Sequence, residues 1–91
     1  MSEPTTARGI TAEQVEADLT RFLEKHTRTS WDADTDLFGT GGVSSMFAME
    51  LVVHIEQAFG VTVEGPDLRI DNFRTVRAMT ALVLRLAGSH G

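Results

Sequence analysis

Apolar residues recur at helical spacing in three separate stretches of the chain, and polar residues fill the positions between them. In the first stretch they fall at i, i+4, i+7 and i+8: Val15, Leu19, Phe22 and Leu23. Thr11 and Gln14 have capping-box spacing at its start. The pattern predicts a helix over about residues 11–26.

The second and third stretches predict two further helices. The second covers about residues 44–59, with Ser44 at its start and Gly60 as its stop. Its apolar stripe consists of Ala48, Leu51, Val52, Ile55 and Phe59. The third covers about residues 75–87 and is stopped by Gly88. Its stripe consists of Val76, Met79, Leu82, Val83 and Leu86.

The segments between these helices lack helical periodicity. The long loop before the second helix carries Trp31, Leu37 and Phe38, which should hold it against the core. A short helical turn is predicted near residues 66–72, followed by a buried Phe73. The apolar run at 61–63 is too short for a strand with no partner. We expect an all-α bundle of three main helices and one short helix, with a flexible leader (1–9), a domain (10–87) and a flexible tail (88–91).

Composition and charge exclude several functions. The 91 residues suffice for one domain, and the net charge of −5 has the wrong sign for a nucleic-acid surface. With no cysteine, a disulfide framework and cysteine-based metal or redox sites are excluded. The sequence shows no apolar run long enough to cross a membrane and no signal-peptide pattern. We therefore expect a cytoplasmic monomer that binds neither membranes nor nucleic acid.

Three patterns that could support catalysis or metal binding are incomplete. Ser45 and His54 would lie roughly 13–14 Å apart along one helix, too far for a catalytic dyad. The aspartates of residues 32–36 begin like a calcium loop, but Leu37 and Val43 occupy the places of its glycine and closing glutamate. The glycines of residues 39–42 lack the lysine of a phosphate-binding P-loop. Neither an enzyme nor a metal site is predicted.

Ser45 remains the best candidate for chemistry. It follows a glycine-led loop and lies where the second helix begins, so a partner could reach it. Nothing nearby looks able to activate it as a nucleophile, which favours modification by another protein. A phosphodiester at this point would meet the positive end of the helix dipole.

Three arginines gather near the predicted short helix of this acidic chain: Arg69, Arg74 and Arg77. They could contact an anionic cargo or the phosphate of a prosthetic arm. The simpler interpretation is that these arginines are ordinary solvent-exposed surface residues.

The run Gly42-Val43-Ser44-Ser45-Met46, with Glu50 and then Phe59-Gly60 behind it, resembles the attachment motif of acyl carrier proteins. The runs Asp36-Leu37-Phe38 and Thr75-Val76 resemble that family's flanking segments, so the similarity covers about residues 10–87.

The resemblance implies a carrier that is not itself an enzyme. It implies that a phosphopantetheinyl transferase attaches 4′-phosphopantetheine to Ser45. The thiol at the end of this arm then holds acyl groups as thioesters. An acyl-loading enzyme and a downstream synthase or acyltransferase are the other implied partners. Ser44 replaces the usual aspartate and could cap the helix. It is also the second candidate for attachment.

The chain departs from the family at Phe47, where many members carry an acidic docking residue. Glu50 and Glu56 remain from the usual acidic face, so we expect an apolar docking surface formed with Met46, Phe47 and Val53. A second core contact could also explain these apolar residues.

The run of residues 43–48 is also similar to free-standing carriers of glyceryl, hydroxymalonyl or methoxymalonyl units in polyketide and tetronate antibiotic pathways. Two other interpretations stay open at this point. One is a peptidyl or aminoacyl carrier, and the other is a helical interaction module that carries nothing.

Overall fold

The computed structural model describes residues 10–39 and 43–88. Helix α1 is Ala12–Thr27, α2 is Ser45–Phe59, α3 is Ile70–Phe73 and α4 is Val76–Gly88, with a 3₁₀ turn at Gly65–Asp67. This part of the chain contains no strand, so the predicted all-α bundle is confirmed. The predicted leader, Gly42 and the last three residues of the predicted tail lie outside it. None of the helices described is long and apolar enough to cross a membrane.

Helices α1 and α2 begin at their predicted N-caps, Thr11 and Ser44. Gln14 N–H donates to the Thr11 hydroxyl and Thr11 N–H donates to Gln14 Oε1, each at 3.2 Å, which completes the predicted capping box. At the other end, Arg28 takes a left-handed conformation (φ 60°) and its N–H donates to the carbonyl of Glu24. Helix α1 therefore runs to Thr27, one residue beyond the prediction.

The predicted short helix is divided in two. Residues 65–67 form a 3₁₀ turn, after which Leu68 (ψ 68°) and Arg69 (ψ 140°) leave the helical region. The second part is α3, Ile70–Phe73, which ends one residue beyond the predicted range of 66–72. The break at Leu68 and Arg69 is the reason for the division. Phe73 is 2% exposed, as predicted.

The core is a single cluster drawn from all four helices and the loops between them. Its fully buried members include Leu19 of α1, Leu51 of α2 and Met79 of α4. Val61 and Val63 are buried in the connection after α2 without forming a strand. The predicted apolar stripes therefore face one another across the bundle.

The long loop between α1 and α2 is held to the core, as predicted. Leu37 is fully buried, and its N–H donates to the carbonyl of Arg74 at 2.8 Å. Trp31 Nε1 donates to the Thr27 hydroxyl, and Arg77 N–H donates to the carbonyl of Ala33. The loop thus crosses the junction of α3 and α4 before it reaches α2.

Asp36 organises the turn that follows Leu37. Its carboxylate oxygen Oδ1 accepts the N–H groups of Phe38 and Gly39 at 3.1 and 2.9 Å. A Cβ added at Gly39 would lie 2.5 Å from Asp36 Oδ2, closer than non-bonded atoms approach. With glycine at this position, the backbone approaches the carboxylate without a clash, whereas a larger residue would have to displace the Asp36 side chain.

Replacing Gly39 by alanine should therefore lower the melting temperature by several degrees, because the new methyl group displaces the Asp36 carboxylate from its hydrogen bonds. Gly65→Ala is the matched control, since a Cβ at Gly65 meets nothing within 4 Å. That variant should melt at or slightly above the wild-type temperature, because alanine restricts the unfolded chain. Equal melting temperatures of the two variants would contradict the close approach at Gly39.

Candidate functional site

The start of α2 is fixed on both sides of the candidate attachment residue. Val43 is 5% exposed and its N–H donates to the carbonyl of Leu37 at 3.2 Å. Ser44 takes an extended conformation, and its hydroxyl accepts the N–H of Phe47 at 3.3 Å. Ser45 is the first residue of α2. The predicted N-cap role of Ser44 is confirmed, and the backbone that carries Ser45 is held to the buried loop.

The first turn of α2 suits a linked anion. This turn contains no acidic residue, so no carboxylate in it opposes a negative group at the helix start. The N-terminus of a helix presents free N–H groups and the positive end of the helix dipole. A serine-linked phosphodiester fits this position by charge and by hydrogen-bonding capacity.

Three apolar side chains form an exposed stripe on α2, which we call the α2 stripe. Met46 is 81% exposed, Met49 is 59% exposed and Val53 is 49% exposed. Met49 is a member that the sequence analysis missed, although its i+3 spacing from Met46 could have revealed it. Glu50 lies exposed beside the stripe, as expected.

Phe47 is only partly exposed, whereas the sequence predicted an exposed residue of the apolar docking surface. It is partly buried and packs against the core. Its ring stacks on that of Phe22, with centroids 5.7 Å apart, and lies 5.4 Å from the ring of His26. The side chain is turned towards α1 because Phe22 provides an aromatic surface there.

Glu56 makes a contact within the chain at the end of α2. Its Oε2 atom accepts the N–H of Val63 at 2.8 Å, and the side chain is partly buried. The contact ties the end of α2 to the connection that follows. Glu50 is therefore the better candidate for an acidic contact with a partner.

A His–Asp pair joins α1 to α2. His54 Nε2 lies 2.6 Å from Asp18 Oδ2, and the imidazole stacks on Phe22 with centroids 4.0 Å apart. His26 packs against the same phenyl ring in a tilted arrangement, with centroids 4.4 Å apart. The pairing of His54 with Asp18 could not be predicted from local spacing, because the contact spans 36 residues, and His54 was considered only as a partner of Ser45. The sequence did show that Asp18 and Phe22 are four residues apart and therefore lie on the same face of α1.

Two of the three candidate arginines are already paired. Arg74 donates to Asp71 at 3.1 Å and to Asp36 at 3.3 Å, and Arg77 donates to Asp34 at 2.5 Å. Arg69 forms no ion pair within the described ranges. The aspartates of the loop thus serve as turn and ion-pair partners. No group of three or more potential metal ligands occurs in the part of the chain that the structure covers.

These contacts lower the pKa values of two loop aspartates. For Asp36 the largest cause is the hydrogen bond from Gly39 N–H, with Arg74 adding to it, and the pKa falls below its ordinary value of 3.8. For Asp34 the hydrogen bond from Arg77 lowers the pKa. Both carboxylates are therefore charged throughout the neutral range.

Comparison with known families identifies the class of protein. The family described as "Phosphopantetheine attachment site" matches residues 19–83, more than half of the chain. The chain belongs to this family of carrier proteins, whose domains hold a covalently attached 4′-phosphopantetheine group and are typically non-catalytic. Such domains generally interact with a phosphopantetheinyl transferase and with partner synthases. No curated protein matches the chain.

The stability of the loop should depend on pH through Asp36. Its folded pKa is lowered, so its contribution is present above the unfolded value and is lost as the pH falls through the folded pKa. Asp36→Asn keeps an oxygen acceptor but removes the charge. We expect its urea midpoint to fall less steeply than that of the wild type on acidification below about pH 4.

The control for this measurement is Glu24→Gln, an exposed site whose side chain makes no ion pair within the described residues. It should follow the wild-type acid profile. An Asp36→Asn profile as steep as the wild-type one would show that the carboxylate charge does not support the loop.

Proposed function

We propose that Ser45 is the residue that carries 4′-phosphopantetheine, and that the chain holds acyl groups as thioesters on the thiol of this arm. The observation that carries the proposal is the position of Ser45 as the first residue of α2, inside the region that matches the family. Ser44 is the less suitable acceptor because its hydroxyl already serves as the helix cap. Only the Ser45 register also places Met46 and Glu50 at the motif's leucine and glutamate positions.

The residues of the chain have a positioning role in this proposal. Val43 and Ser44 hold the backbone at Ser45, the first residue of α2. The nearest histidine on α2, His54, is engaged with Asp18 on α1. Activation of the hydroxyl therefore falls to the transferase, which would take up its proton as the serine oxygen forms a phosphoester bond. The pyrophosphate bond of coenzyme A breaks in the same step, and 3′,5′-ADP is the leaving group. The chain acts as a substrate and not as an enzyme.

We further propose that partners dock on the α2 stripe with Glu50 at its side. The exposed stripe begins one residue after Ser45 and continues for two turns. Because the first turn lacks acidic residues, contact there would be mainly apolar. Phe47 supports this surface from behind through its packing on Phe22.

For the cargo, we propose acyl units of polyketide-type metabolism, with a loading enzyme and a downstream synthase or acyltransferase as partners. The support is the similarity of the residues 43–48 to carriers of glyceryl, hydroxymalonyl or methoxymalonyl units. A peptidyl or aminoacyl carrier is the second candidate, because it would share the fold and the attachment serine and differ only in cargo and partners.

The attachment residue can be tested by intact mass and peptide mapping after co-expression with a promiscuous phosphopantetheinyl transferase. Ser45→Ala should gain no arm while keeping its helical content. Ser44→Ala should still gain the arm, but lose about 0.5–2 kcal/mol of stability with its N-cap. An arm mapped to Ser44 in the wild type would overturn the assignment, and an unmodified wild-type chain would overturn the carrier function.

The docking surface can be tested with the transferase itself, by comparing its kcat/KM on two variants of the unmodified protein. Full burial of an apolar side chain is worth about 1.5–3 kcal/mol, so Met46→Gln should reduce kcat/KM by roughly tenfold or more. A solvent-exposed charge contributes about 1 kcal/mol or less, so Glu50→Gln should have the smaller effect.

Measurements at low and high salt separate the two kinds of contact. The Met46→Gln effect should persist at high salt, because screening acts on charges and not on apolar contacts. A larger effect of Glu50→Gln that disappears with salt would contradict an apolar docking surface.

A further inference from the structure

The methionines within the described residues differ sharply in their exposure to solvent. Met46 and Met49 of α2 are 81% and 59% exposed, whereas Met79 of α4 is fully buried in the core. The remaining methionine, Met1, lies outside the described residues. The chain has no cysteine. The two α2 methionines are therefore the accessible sulfur atoms of the part of the chain that the structure describes.

Both accessible methionines belong to the α2 stripe. Met46 directly follows Ser45, the first residue of α2, and Met49 lies three residues further on the same face. In the described ranges, neither belongs to the core cluster or to the partly buried residues that pack against it. A chemical change at these side chains would therefore alter the surface beside the attachment residue without loosening the bundle.

Met49 also stands between two apolar depressions. On one side lies a groove of about 410 Å³ between α1 and α2, which Phe22 and Val53 also line. On the other side lies a cavity of about 130 Å³ between α2 and the segment that leads into α3, which Val52 and Phe73 also line. A polar atom on the Met49 sulfur would therefore interrupt the apolar surface where these two depressions meet.

We propose that the α2 stripe is a peroxide-sensitive docking surface, which loses its partners when Met46 and Met49 are oxidised to sulfoxides and regains them on reduction. The inference rests on the proposed docking of partners on this stripe.

Each oxidation consumes one molecule of hydrogen peroxide. The thioether sulfur attacks one peroxide oxygen, the O–O bond breaks, and the sulfur gives up two electrons. The proton on the transferred oxygen passes to the leaving hydroxide, which becomes water. In the reverse step, catalysed by methionine sulfoxide reductases, a dithiol is oxidised to a disulfide and the sulfoxide oxygen leaves as water.

A sulfoxide is poorly suited to an apolar contact. Its oxygen is a hydrogen-bond acceptor, and burying it against an apolar partner without a donor costs free energy. Met46 occupies the position of leucine in the attachment motif. Leucine has a similar volume and could fill the same contact, but it does not react with peroxide. The side chain at this position therefore determines whether the surface responds to oxidation.

The experiment uses the unmodified protein, which has no thiol to compete for peroxide. The protein is treated with hydrogen peroxide, the excess is removed with catalase, and peptide mapping measures the sulfoxide at each methionine. Met46 and Met49 should be oxidised, whereas Met79 should react only through unfolding of the domain. The helical content and melting temperature of the oxidised protein should stay close to those of the untreated protein.

The functional readout is the kcat/KM of the phosphopantetheinyl transferase. Oxidation of the wild type should lower it by roughly tenfold or more, because the apolar contact is lost, and sulfoxide reductases with dithiothreitol should restore it. The double variant Met46→Leu/Met49→Leu should keep the untreated wild-type value before and after peroxide. Met79→Leu is the matched control and should remain as sensitive as the wild type.

Three outcomes would overturn the inference. The first is an unchanged kcat/KM after both α2 methionines are mapped as sulfoxides. The second is an equal loss in the double leucine variant, which would place the sensitive group elsewhere. The third is oxidation of Met79 as fast as Met46, which would mean that oxidation follows unfolding.

Met46→Gln in the same assay separates this inference from the docking proposal beneath it. If Met46→Gln lowers kcat/KM while oxidation does not, the docking surface stands and the peroxide sensitivity is refuted. If neither change has an effect, the docking surface itself is refuted.

Discussion

The burial of Leu37 is the constraint on which the geometry of the attachment site depends. This side chain lies in the core, while its backbone forms hydrogen bonds in two directions. Its N–H donates to Arg74 at the α3–α4 junction, and its carbonyl accepts the N–H of Val43, just before α2. One loop residue therefore fixes the start of α2 relative to the other end of the bundle. The burial of Val43 adds a second anchor directly before Ser44.

The remaining contacts hold α2 while leaving part of its surface open. Phe47 and His54 pack on Phe22 of α1, and Glu56 holds the connection that leaves the helix. These contacts occupy two sides of α2. The apolar stripe that begins at Met46 is exposed, and the cavity towards α3 lies on a neighbouring face. The packing contacts of α2 thus leave an apolar stripe and a neighbouring cavity open on the helix.

The features that sequence could predict are those set by local spacing. The capping box at Thr11, the cap at Ser44 and the apolar stripes depend on residues a few positions apart, and all were correctly placed. The features that it missed depend on distant pairs. Phe47 was expected to be exposed because nothing local revealed Phe22 as its neighbour. Asp18 was overlooked because its partner His54 lies on another helix. Arg69 could be distinguished from Arg74 and Arg77 only when their aspartate partners were located in space.

The central claim, that Leu37 anchors the attachment loop, can be tested most directly by amide hydrogen exchange. If the claim is correct, the N–H groups of Leu37 and Val43 exchange as slowly as the core amides of α1 and α4, because all of them exchange through cooperative unfolding of the domain. Thr29 and Ser30, exposed in the same loop, should exchange much faster. Exchange of Leu37 and Val43 at the rate of those exposed amides would show that the loop opens independently, and would contradict the account.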